Sequence, residues 1–197
     1  PILEDFSDMA ETLIKWQEAL MAVEEGIVKF PTKEKYRPDS VEIKEEAVGK
    51  AFRDVENLAN SMENYPETIS ERVDYSTRLR RGLEAFREEE YLLATFVFIS
   101  IQDGFMSLIC RAKGIKPEGE DYYTKFQKKK HLAEEFTGIA KLNSGVLKNK
   151  LDHFWTHRNA VMHGDAEAYF DENVAKVSLL FLKVTISAMF EVTEEES

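Results

Sequence analysis

Apolar residues recur at helical spacing along most of this chain. Met9, Leu13, Trp16, Leu20, Val23 and Ile27 alternate intervals of four and three residues, the seam of a helix whose stripe must pack against a partner. The spacing predicts a helix from about Asp5 to Lys29. Phe30 to Asp39 contains Pro31 and Pro38 and reads as a loop. Asp39 and Glu42 stand at capping-box spacing, so a second helix is expected to open at Asp39 or Ser40. It runs through Val48, Ala51, Phe52, Val55, Leu58, Ala59 and Met62 and stops before Tyr65-Pro66. Residues 1–66 are thus expected to form an N-terminal helical hairpin, separate from a helical bundle over 67–197.

Thr68 with Glu71 marks the start of a helix through Val73, Leu79, Leu83 and Phe86, weakened at its middle by Gly82. Glu88-Glu89-Glu90 suits the positive end of the next helix, a long apolar one running to about Lys113. Its run from Leu92 to Cys110 holds Gln102 and Asp103 in the middle, where a carboxylate in a bilayer would cost about 3 kcal/mol. The run therefore reads as the central helix of a bundle, with no membrane partner. After the loop Gly114 to Gly119 comes a shorter helix from about Tyr122 to Phe136 carrying Lys128, Lys129 and Lys130. A helix from Asn143 to Gly164 follows, and a last one, N-capped by Asp171, turns Val174, Val177, Phe181, Val184 and Ala188 inward. The fold class expected is all-α.

The helix ending in Arg158-Asn159-Ala160-Val161-Met162-His163-Gly164 concentrates the candidate chemistry. Gly164 fits the left-handed position that closes a helix. Asn159 and His163 lie one turn apart, whereas Arg158 is about 140° around from His163 and roughly 7.5 Å along the axis. A second surface is needed to bring guanidinium and imidazole into one pocket. The helix terminus favours a protonated His163 and Arg158 opposes it, a balance suited to proton transfer. A purely structural role is the alternative: Arg158 and Asn159 capping carbonyls, His163 a turn residue. His153 and His157 stand at the spacing of two zinc ligands, but no third ligand is adjacent, so no metal or other cofactor is expected.

Arg158-Asn159 followed by His163-Gly164 resembles the R-N-x-x-x-H-G form of the signature of the HEPN superfamily, over about Thr68 to Glu194. The resemblance implies a HEPN-like bundle of four or five helices and a homodimer whose signature helices share a cleft. It also implies metal-independent RNA cleavage, with His163 as general acid or base, Arg158 stabilising the phosphate and Asn159 orienting one of them. His157 would flank the pocket and Asp103 would pair with Arg158 from an earlier helix. Many relatives are toxins or defence components with an antitoxin or other protein partner. Those silenced by a partner nucleotidyltransferase tend to carry tyrosine two residues after the histidine; this chain has Asp165 there. Other relatives are noncatalytic modules that bind a nucleotide or a protein.

Charge bears on that choice. A net charge of -11 speaks against general affinity for phosphate backbones. Arg111 to His163 nevertheless holds 11 Lys and Arg against 6 Asp and Glu, and all four histidines fall within it. Lys128, Lys129 and Lys130 are therefore candidates for RNA binding beside the site. The lone cysteine, Cys110, excludes an intramolecular disulfide. The opening PILEDFSDMAE lacks the basic-then-apolar order of a signal peptide, so a cytoplasmic location is expected.

Overall fold

The computed structural model describes Met21 and residues 25–29, 41–62, 70–112, 162–164 and 171–194. Among them are a short ribbon, β1 (Ile27–Lys29) and β2 (Glu42–Ile43), and four helices: α1 (Glu45–Met62), α2 (Ser70–Arg87), α3 (Tyr91–Ala112) and α4 (Glu172–Glu194). The architecture is an all-α bundle with this ribbon at its flank.

The ribbon departs from the sequence expectation. Ile27 to Lys29, expected to finish a helix, pairs antiparallel with β2, Ile27 opposite Ile43 and Lys29 opposite Glu42, with a bulge between. The β-branched residues on both sides favour extended backbone. Pairing consumes Glu42 and Ile43, so α1 opens at Glu45 rather than at Asp39 or Ser40. Lys44 accepts the first helical bond from the Val48 N–H at 3.3 Å, and its own N–H donates to the Gly26 carbonyl at 2.8 Å. Glu45 and Glu46 then place negative charge in the first turn.

Val48, Ala51, Val55, Ala59 and Met62 form the buried stripe of α1, the spacing that its sequence predicts. Helix α2 crosses it antiparallel: the Ser76 hydroxyl donates to the Ala59 carbonyl at 2.7 Å, and the Phe52 and Phe86 rings lie 6.0 Å apart. Helix α3 returns along α2, with Tyr75 on Phe105 at 4.6 Å and Phe86 on Phe98 at 6.2 Å. Gly82 sits at their crossing. A β-carbon there would stand 2.8 Å from Val97 Cγ1 and 2.9 Å from Phe98 Cε1. What looked like a weak point in a helix is the place where side chains of α3 pack onto the backbone of α2.

The α2–α3 turn is tight. The Glu90 N–H donates to Ala85 and the Glu89 N–H to Phe86, the paired bonds of a Schellman motif. That motif puts Glu89 in the left-handed region at φ 62, a place usually left to glycine. Glu90 then accepts from the Ala94 N–H at 3.0 Å, so one residue ends α2 and begins α3.

Among the described residues, α4 is more enclosed than α3. Every residue from Val174 to Lys183 is buried, whereas Leu92 and Leu93 of α3 are 50% and 49% exposed. Polar residues inside α4 are satisfied within it: Ser178 donates to Val174 O at 2.8 Å and Thr185 to Phe181 O at 3.0 Å. Lys176 reaches Glu45, and Lys183 reaches Asp54; both numbers rise together, so α1 and α4 run parallel. Residues of α1 to α4 and Ile27 share one hydrophobic cluster. The described part of residues 1–66 therefore contributes to the same core as the segment after it. Among the described residues no helix is long and apolar enough to cross a membrane.

Two substitutions check the α2–α3 geometry. Gly82→Ala overpacks the crossing and is expected to lower stability by about 1–3 kcal/mol, whereas Glu89→Gly relieves left-handed backbone and is expected to raise it by about 1 kcal/mol. Urea denaturation reads both, and a Gly82→Ala variant as stable as the parent would mean the helices lie further apart.

Candidate functional site

The turn that closes the candidate helix is described at its last residues. Met162 is helical, His163 and Gly164 form a turn, and all three are exposed. Gly164 has φ 70, as its place after the signature predicts. No atom of the described residues lies within 4 Å of where its β-carbon would stand, so backbone conformation rather than crowding calls for glycine here. The imidazole is thereby carried on an exposed corner.

Seven residues on, the Val174 N–H donates to Asp171 Oδ1 at 2.9 Å, which makes Asp171 the N-cap of α4 as expected. Asp103, the other candidate on described backbone, is half-buried on α3. Its neighbour Gly104 faces α2 closely: a β-carbon on Gly104 would lie 2.5 Å from the Tyr75 hydroxyl. Arg158, Asn159, His157, Lys128, Lys129 and Lys130 fall outside the described residues, as do His153 and Cys110's side chain. Of the described residues, no group of three or more His, Cys, Asp or Glu is arranged to hold a metal ion.

Two charged constellations escaped the sequence reading. In the first, the Lys176 ammonium lies 2.5 Å from Glu45 Oε1 and 2.7 Å from Glu172 Oε1. Burial alone would lower the Lys176 pKa, but hydrogen bonds and charge from Glu172 and Glu45 outweigh it and the net shift is upward. Tyr91, at the start of α3, belongs to the same end of the bundle. Partial burial, then the carboxylates of Glu172 and Glu89, hold its phenol above the ordinary 10.0. Glu172 and Lys176 stand at i,i+4 spacing on one helix, but Glu45 and Tyr91 come from helices far away in sequence, and no local spacing announces them.

The second constellation is cationic and lies on α2. Five of the chain's nine arginines, Arg72, Arg78, Arg80, Arg81 and Arg87, fall on this one helix. The last four are exposed. A count of arginines per helix would have found them; net charge summed over long segments hid them among glutamates.

In class, then, the chain is an all-α bundle with an exposed histidine turn leading into a capped, enclosed helix. It matches no family model, and no curated protein or solved structure is significantly similar to it.

The lysine bridge has a pH signature. Because the folded pKa of Lys176 lies above the ordinary 10.5, folding favours the protonated form. Its contribution is fully present below the ordinary value and is lost as pH rises through the higher folded one. In chemical denaturation between pH 7 and 11.5, the parent's advantage over a Glu45→Gln/Glu172→Gln double variant should be constant up to about pH 10 and narrow above the ordinary lysine value. At pH 7 the double variant should lose about 1 kcal/mol more than the two single variants together, since either carboxylate alone still serves the ammonium. Simple additivity, with no narrowing at high pH, would contradict the bridge.

Proposed function

We propose that this protein is a metal-independent endoribonuclease of HEPN type, acting as a homodimer. The observation that carries the reading is the exposed His163 on a turn closed by a left-handed Gly164, shortly before an Asp171-capped final helix. That is where the resemblance puts the end of an Arg158-Asn159-x-x-x-His163-Gly164 signature. An imidazole on such a corner is open to a polymer substrate.

In the proposed reaction His163 acts as general base or acid on the ribose 2′-hydroxyl or the leaving 5′-oxygen. Attack of the 2′-oxygen on phosphorus forms one P–O bond and breaks the bond to the 5′-oxygen. A 2′,3′-cyclic phosphate and a 5′-hydroxyl remain. Arg158 neutralises charge on the phosphate, Asn159 orients one of the two groups, and Asp103 and His157 support them. Lys128, Lys129 and Lys130 hold the backbone alongside. A toxin or defence role, checked by an antitoxin or other protein partner, is the setting the resemblance implies. Asp165 in place of tyrosine weighs against silencing by a nucleotidyltransferase. The net charge of -11 favours the second reading, a noncatalytic module that binds a nucleotide or protein.

Purified protein incubated with end-labelled RNA in EDTA separates the two. Cleavage that persists in EDTA and falls by about 100-fold or more in His163→Ala and Arg158→Ala is the expected result. A folded dimer that cleaves no RNA would leave the noncatalytic module.

A further inference from the structure

The outward side of α3 is apolar where a helix facing water is expected to be polar. At 100° per residue Leu92, Leu93, Phe96 and Val97 fall within an arc of about 140°, while Ala94, Thr95, Phe98, Ile99 and Ile101, on the other side, are buried. Leu92 and Leu93 are 50% and 49% exposed, and Phe96 and Val97 are half-buried. Ser100, further along the same arc, is exposed. A lone surface leucine calls for no explanation, but four apolar residues together on an open helix face mark a place where another molecule sits.

Charge narrows the kind of molecule. Glu88, Glu89 and Glu90, which lead into this face, are all exposed. Tyr91 brings the corner within electrostatic reach of Glu172 and Glu45, so carboxylates of the turn and of the first turns of α4 and α1 gather around one end of the leucine pair. Arg87, just before the three glutamates, is engaged by Glu56 and stacked 4.8 Å over the Phe52 ring, and Lys176 is held by Glu45 and Glu172. The same face of a second copy fits poorly. A two-fold axis through Phe96 would set Asp103 of one copy against Glu89 and its neighbours on the other, like charge on like. An anionic lipid surface would be repelled in the same way. A basic segment with apolar anchors meets both features of the face at once.

We propose that this face, Leu92, Leu93, Phe96 and Val97 with Glu88, Glu89 and Glu90 at its end, docks a basic amphipathic helix of a protein partner. Apolar side chains of the partner cover the leucines, and its Lys or Arg residues meet the three carboxylates. The apolar contact supplies most of the affinity, whereas the charges orient the partner and speed encounter. The surface serves whether or not the chain cleaves RNA.

The test uses the full chain and a fluorescein-labelled peptide of leucine and lysine at amphipathic helical spacing, about 14 residues or about four turns long, with anisotropy read across a series of KCl concentrations. The parent should bind it. Leu92→Gln/Leu93→Gln should weaken binding about tenfold or more and keep its salt dependence. Glu88→Gln/Glu89→Gln/Glu90→Gln should weaken it at low salt and flatten the salt dependence. Thermal melting should change little in either, since all five side chains are exposed. Failure of the peptide to bind, equal binding of a peptide with glutamate in place of lysine, or affinity unaltered in either variant would overturn the proposal. A parent dimer that the leucine variant dissociates in sedimentation would overturn it in favour of a second copy. Binding of phosphatidylcholine vesicles that is lost in the same variant would overturn it in favour of a lipid surface.

Discussion

Helix α4 is enclosed on every side from Val174 to Lys183 although two of those residues are lysines, and the fold depends on how their charge is met. A buried ammonium without a partner costs several kcal/mol. Here each lysine lays its hydrocarbon stem in the core and delivers its nitrogen to carboxylates at the rim, Lys176 to Glu45 and Glu172, Lys183 to Asp54. Because Glu45 and Asp54 both lie on α1, the two bridges set its register and its direction against α4. The remaining helices then pack on a pair already aligned.

The exposed histidine turn comes shortly before this frame's last helix in the chain. Asp171 caps α4, and the exposed His163–Gly164 turn lies seven residues before it in the chain. Helix α1 packs also against α2, its Asn60 and Ala59 receiving Arg80 and Ser76.

Elements whose signal is local were legible. The stripe of α1, the extents of α2, α3 and α4, the Asp171 cap and the left-handed Gly164 all follow from spacing within one or two turns. Features that depend on what an element meets were not. Ile27 fits the helical seam by its spacing, yet pairing with Ile43 draws it into a strand. The apolar α3 reads as the central helix and packs against both α2 and α4, yet Leu92 and Leu93 face outward, and among the described residues α4 is the more enclosed. Glu89 gave no hint of φ 62, since that conformation is dictated by the turn and not by the residue. Of the candidate site, the corner bearing His163 was readable from its glycine; the concentration of arginines on α2 was hidden in charge summed across longer segments.

The enclosure of α4 is the claim on which the rest stands, and native-state hydrogen exchange tests it most directly. Amides of α4 from about Val177 to Leu182 should be the slowest in the protein, exchanging only through global unfolding. Exchange of that stretch well ahead of the middle of α3, as in a helix that frays from the bundle, would contradict the account.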